Sequence, residues 1–142
     1  MSELTRDNLG FLLAKASQRW NELLVDSFQD AGFAEVRASF GSVLVPLFEE
    51  DGLRMGELAR RSGLSKQAMT TLVRMVEEAG LVTRERDAAD GRAIRVSLSP
   101  RGEELRPHAE RAVAEAAGWA RERLSSAELT LLIESLRKVV QP

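Results

Sequence analysis

The sequence predicts a mainly α-helical fold with a small β-wing, and three observations carry that reading. Apolar residues recur at i, i+3, i+4 and i+7 toward both ends of the chain. Between those stretches, over residues 81–98, the period shortens from 3.6 to 2. Just before that change, two short amphipathic segments flank Ser62-Gly63-Leu64, the layout of a helix–turn–helix.

The elements follow in order. A first helix is expected over residues 9–28, where Leu9, Leu12, Leu13, Ala16, Trp20, Leu23, Leu24 and Phe28 make one stripe with Lys15, Arg19, Glu22 and Asp26 interleaved. At 1.5 Å per residue it is roughly 30 Å long, and Ala31-Gly32 ends it. A second helix is expected over residues 36–48 through Phe40, Val43, Leu44 and Leu47. Pro46 sits awkwardly in its last turns, because proline has no N–H to donate. Glu49-Glu50-Asp51-Gly52 is a polar break. The helix–turn–helix then runs over residues 55–61, with Leu58 and Ala59 inward, and over 66–79, with Met69, Leu72, Val73 and Val76 inward. Ser65 is a good N-cap for the second of these helices, and Gly80 stands where a C-terminal glycine belongs. Two strands are expected at 81–86 and 93–98, with Ile94, Val96 and Leu98 on one face. The polar hairpin loop Asp87-Ala88-Ala89-Asp90-Gly91-Arg92 joins them. Ser99-Pro100 opens a helix to about residue 123, striped by Leu105, Ala109, Ala112, Val113, Ala116, Trp119 and Ala120. Pro107 is expected either to kink that helix or to move its start. Ser125-Ser126-Ala127-Glu128 has capping-box spacing and opens a last helix bearing Leu129, Leu132, Ile133, Leu136, Val139 and Val140. One domain is expected over 1–142, with a winged helix–turn–helix at about 36–99 between terminal helical segments at about 4–30 and 100–142.

Composition bounds the chemistry. A chain of 142 residues has room for one ordinary domain. Twenty Lys+Arg against 22 Asp+Glu leave a net charge of −2, which excludes a polybasic arm but not a local basic face. The absence of cysteine removes disulfides, thiolate metal sites, iron–sulfur clusters and cysteine nucleophiles. His108 is the only histidine, so multi-histidine metal sites and most histidine triads are gone as well. It reads as a surface or interface residue with some capacity to tune a pH response. No glycine-rich phosphate loop, nucleophile elbow or metal-ligand cluster is present, and Glu49 with Asp51 reads as a solvated loop. The chain is therefore not expected to be an enzyme, and no metal or cofactor is expected. No apolar run approaches the roughly 20 residues of a membrane span, and no signal-type apolar segment follows the start. A cytoplasmic protein without a membrane partner is expected.

Charge is segregated along the chain. Residues 54–101 hold ten Lys/Arg against six Asp/Glu, a net +4, while the remainder holds ten against sixteen, a net −6. A phosphate backbone gains from cations only on the surface that meets it. Lys66, Gln67, Thr70, Thr71 and Arg74 are the outward positions of the second short helix. They offer donors, acceptors and methyl-bearing hydroxyls suited to base edges in a major groove, which the N-terminal half of a recognition helix reaches. Ser65 and the amides beside it suit a phosphate oxygen. Arg84 and Arg86 extend the basic face, and Arg92 at the wing tip suits a narrow minor groove, with Asp90 placed to hold its guanidinium. The plainer reading of each piece is a solvated helix face and a turn made by Asp90-Gly91. Preceding helix, tight turn and wing together favour DNA.

The residues that carry a family resemblance are Met55-Gly56-Glu57-Leu58-Ala59 and Gly63-Leu64-Ser65-Lys66-Gln67-Ala68-Met69-Thr70. They continue through Val73, Glu77, Gly80-Leu81-Val82, Arg84 and Arg86 to Asp87, Asp90 and Arg92, then Leu98-Ser99-Pro100-Arg101-Gly102. This pattern resembles the MarR (multiple antibiotic resistance regulator) family of winged helix–turn–helix transcription factors, and the flanking helices follow the family's plan over nearly the whole chain. The resemblance implies a homodimer built by the first and last helices as dimerisation helices. It further implies a repressor that reads a pseudo-palindromic DNA duplex with half-sites roughly 34 Å apart, released by a small aromatic or lipophilic effector. The apolar stripes of the terminal helices agree with a two-fold partner. Lack of cysteine sets the chain apart from members that sense oxidants through thiols. Trp20, Phe40 and Trp119 are candidates to line an effector pocket, against the plainer reading as core. The alternative function is a winged-helix module that binds protein and not DNA; Lys66, Arg84, Arg86 and Arg92 together speak against it.

Overall fold

The computed structural model describes residues 3–141; residues 1, 2 and 142, the extreme ends of the expected single domain, lie outside the described residues. The chain gathers into two compact units. One holds the chain up to Ala34 together with Ala109–Gln141, and the other holds Glu35–His108.

The terminal unit is helical. Helix α1 spans Leu9–Asp30, capped by Asn8, whose side-chain oxygen accepts the Phe11 amide at 2.8 Å. It stops at Ala31, as the Ala31-Gly32 pair predicted. Helix α6, Ser126–Val140, opens on the predicted capping box: the Ser125 hydroxyl accepts the Glu128 amide at 3.1 Å and the Glu128 carboxylate accepts the Ser125 amide at 3.0 Å. Phe28, Phe33, Ala112 and Ala116 are buried, whereas α6 buries no residue at all. Helix α5, Pro100–Arg123, gives its later turns to this unit. It starts at Pro100 and runs through Pro107, so the second proline does not move its start.

The central unit contains a 3-10 turn (Ala38–Phe40), α2 (Gly41–Glu49), β1 (Leu53–Arg54), α3 (Met55–Ser62), α4 (Lys66–Glu78), β2 (Val82–Arg86), β3 (Ile94–Leu98) and the first turns of α5. Its core is apolar and closed, with Val43, Leu47, Leu58, Met69, Val73, Val76, Leu81, Val96 and Leu105 all shut off from solvent.

Two sequence expectations change here. The second helix does not begin at residue 36: Arg37 is extended (φ −108°, ψ 155°) and a 3-10 turn precedes α2. Val36 is buried within this extended connector, so its apolar character mimicked a first helical turn. The sheet also has three strands, not two, in the order β1-β3-β2, all antiparallel, with Leu53 opposite Val96 and Val82 opposite Leu98. β1 is two residues long, too short for any alternation to register.

Pro46 keeps its place in α2 through a substitution of donors. Proline at position i leaves the carbonyl at i−4 without its helical partner, and here that carbonyl, Ser42 O, accepts the Ser62 hydroxyl from the end of α3. The defect in one helix thereby becomes a tie to its neighbour. The turn between α3 and α4 needs Gly63 at φ +65°, a left-handed conformation costly to side chains. Ser65 then caps α4 by accepting the Ala68 amide at 3.1 Å. Met69, Val73 and Val76 face inward as predicted, and Leu72 is half-buried.

Candidate nucleic-acid interface

The outward face of α4 carries Lys66, Gln67, Thr71 and Arg74 in solvent, with Thr70 half-buried. Among the described residues the side chains of Lys66, Gln67 and Arg74 have no polar partner. The threonines are engaged differently. Thr70 donates its hydroxyl to Lys66 O at 2.8 Å and Thr71 donates to Gln67 O at 3.2 Å. Ser65 spends its hydroxyl on the cap, while the first-turn amides behind it have no intrahelical acceptor.

At the wing, Arg92 is 95% exposed. Asp90 accepts the Arg92 amide at 3.1 Å and lies 3.5 Å from its guanidinium. Arg86 donates to Gly91 O across the loop at 3.0 Å. Arg84 is committed elsewhere: its guanidinium meets Glu77 at 3.0 Å and pins β2 to α4.

Sequence reasoning gave site roles to Asp90 and Arg92 and named Asp87 only as part of the loop and of the family's wing pattern, although Asp87 organises the loop. Asp87 is only 3% exposed. One of its oxygens accepts a hydrogen bond from Arg54 Nε at 3.0 Å and forms an ion pair with Arg95 Nε at 2.6 Å; the other accepts the amides of Ala89 at 2.7 Å and Asp90 at 3.2 Å. The Ala89 amide and the Arg54 guanidinium hold its carboxyl at a pKa of about 2, below the ordinary 3.8. An aspartate that bonds amides two and three residues on is a familiar turn signal. The two arginines come from β1 and β3, and no local spacing reveals them.

Ion pairing sorts the basic excess of residues 54–101. Arg60 and Arg61 both clasp Glu57, with Arg60 Nη2 at 2.5 Å and Arg61 Nε at 2.9 Å, and Arg61 also reaches Glu50 at 2.6 Å. Those two arginines, Arg60 foremost, lower the Glu57 pKa to about 2. Arg54 and Arg95 serve Asp87, Arg84 serves Glu77, and Arg101 meets Glu35 at 3.0 Å. Lys66, Arg74 and Arg86 have no carboxylate partner among the described residues, and Arg92 has only the long contact to Asp90. All four are among the residues that the sequence nominated.

In the terminal unit, Trp20 and Trp119 line one cavity of about 530 Å³ together with Leu13, Leu132, Ile133 and Leu136. Phe40 does not join them. It is 2% exposed, part of the buried core of the central unit.

The MarR family model matches residues 47–93. The HTH-type transcriptional repressor Rv2887 of Mycobacterium tuberculosis is 39% identical over 67 residues, which cover 47% of this chain and 48% of the relative. The match thus spans about half the length of that relative. A probable transcriptional regulator from Pseudomonas aeruginosa superposes with a TM-score of 0.78 at 27% identity, covering 94% of this chain and 98% of its own. CouR from Rhodococcus jostii RHA1, solved bound to p-coumaroyl-CoA, gives a TM-score of 0.77 at 25% identity, covering 99% and 97%. CouR on a 23-mer DNA duplex gives 0.79 at 23% identity, covering 99% and 100%, a likeness of fold. Motif, relatives and fold agree: residues 47–93 match the MarR family model, and the chain shares its fold with transcriptional regulators along nearly its whole length.

Proposed function

We propose that this chain is a sequence-specific DNA-binding transcriptional repressor that works as a homodimer, each α4 reading one half-site of a pseudo-palindromic operator. The observation that carries this reading is the distribution of unpaired charge. Most arginines of the central unit are neutralised within the fold, and apart from Arg37, before α2, the cations left without a close carboxylate lie on the face of α4 and at the wing. A helix face for the major groove and an arginine tip for the minor groove are what a duplex requires. A protein-binding winged helix has no use for that arrangement. The repressor Rv2887 and DNA-bound CouR support the same assignment.

The homodimer is supported by where apolar surface remains. Of twelve large hydrophobic residues exposed among the described residues, eleven are in the terminal unit and one, Val45, is in the central unit. A small aromatic or lipophilic effector is the reading of the cavity between Trp20 and Trp119. Its size falls in the roughly 300–1,000 Å³ range of ligand pockets, and CouR, of the same fold, holds p-coumaroyl-CoA. A cytoplasmic location accords with a DNA partner.

The test is selection of bound duplexes from a random pool, followed by mobility-shift titration of the winner at 50–200 mM salt. Affinity is expected to fall steeply with salt, by roughly 10³–10⁵ across that range if six to ten phosphates are met. Lys66→Ala with Arg92→Ala should weaken binding to all sequences and flatten the salt slope by about 1 per lost contact. Binding indifferent to both substitutions would sink the reading.

A further inference from the structure

We infer that α4 reads thymine through the γ-methyl group of Thr71, an inference that rests on the DNA-binding reading above. A threonine facing a major groove normally has two options, to exchange hydrogen bonds with base edges or to present its methyl. The structure removes much of the first. The Thr71 hydroxyl donates to Gln67 O at 3.2 Å, one turn back along its own helix. Its single proton is therefore spent on the backbone, and Cγ2 occupies another staggered position on the same Cβ. Thr71 is exposed, so the methyl belongs to the surface that a groove floor would meet.

Position supports chemistry. Thr71 lies four residues after Gln67 and three before Arg74, so the three share one stripe of the helix. It is also in the N-terminal half of α4, the part of such a helix that approaches bases. Thr70 makes the same kind of back-bond, at 2.8 Å to Lys66 O, but is half-buried and so has less to offer. In the major groove only thymine displays an apolar group, its C5 methyl. A methyl on the protein meeting a methyl on the base excludes water from both.

The experiment uses the full chain and the duplex selected from the random pool. Each thymine in turn is replaced by deoxyuridine, which removes the C5 methyl and leaves base pairing intact. One thymine in each half-site should prove sensitive, with affinity falling about fourfold for one replacement and about fifteenfold for both, the value of one buried methyl per site. Thr71→Val keeps a methyl and should keep the discrimination between thymine and uracil. Thr71→Ser keeps the hydroxyl alone and should bind both duplexes equally. Equal binding by the unmodified protein at every thymine overturns the inference, as does discrimination kept by the serine variant and lost by the valine variant. If no duplex is selected at all, the DNA-binding reading fails and takes this one with it. A selected duplex with no uracil effect removes only the methyl contact.

Discussion

Asp87 shows how much one carboxylate organises at the root of the wing. It ties two strands through Arg54 and Arg95 and caps the loop through the Ala89 and Asp90 amides, with Arg92 two residues beyond Asp90. Its pKa of about 2 in the folded protein lies below the 3.8 of the unfolded chain, so the native state binds fewer protons in that interval. Stability from this group is therefore complete above about pH 4 and is lost as pH falls toward 2. Asp87→Asn should lower the melting temperature at neutral pH, since Arg54 and Arg95 lose their anion. It should also flatten the dependence on pH between about 4 and 2, leaving the part due to Glu57 and Glu128, which are shifted in the same direction. Circular-dichroism melts from pH 2.5 to 5 measure this, and an unchanged slope would show that Asp87 does not govern the window. In the sequence Asp87 was legible as a turn residue, because its amide bonds are local. Its arginines were not, because β1 and β3 are brought to it by sheet pairing.

At the scale of elements, the junctions carry the specificity. Between β3 and α5, Ser99 donates its hydroxyl to Gly80 O at 2.6 Å and accepts the Gly102 amide at 3.0 Å, while its own amide meets Leu81 O at 3.0 Å. Gly102 is buried there, and a Cβ on it would lie 2.2 Å from Leu81 O. Gly102→Ala must push a helix start away from the backbone that follows α4, which should cost about 2–3 kcal/mol. Urea denaturation of the variant checks this, and a loss below about 0.5 kcal/mol would mean the junction yields easily. Helix ends and caps were readable beforehand at Ser65, Gly63 and Ser125, since a cap is written in adjacent residues. The two-residue β1 and the extended start before α2 were not. Each depends on a partner distant in sequence: Val96 for Leu53, and Arg101 for Glu35.

For the whole molecule, the decisive contrast is between a closed central core and a terminal unit that leaves its apolar stripes in water. Leu132 and Ile133 are each 44% exposed, and α6 buries nothing. A second copy is the occupant proposed for that surface. Leu132→Glu should then cost the single chain little while shifting the protein from dimer to monomer at micromolar concentration and weakening DNA binding. Sedimentation velocity reports the first and mobility shift the second. An unmodified protein that sediments as a folded monomer would defeat the dimer reading. The net −6 outside residues 54–101 fits the same picture, since an acidic remainder repels phosphate from surfaces other than the winged one.

By itself the sequence determined most of the helices, the caps at Ser65 and Ser125, the change of period at the wing and the stretch that holds the excess positive charge. Those are properties of neighbours three or four residues apart, or of simple counting. Tertiary structure alone decided which of those cations remain free. Six arginines are drawn onto carboxylates, several of them distant in sequence, and Lys66, Arg74, Arg86 and Arg92 are left without a close carboxylate. It also sent Phe40 into a core and placed Trp20 beside Trp119 at one cavity. The physical reason is common to both. Ion pairing and burial are satisfied by whichever group the fold brings within reach, and that reach is set by packing, not by position along the chain.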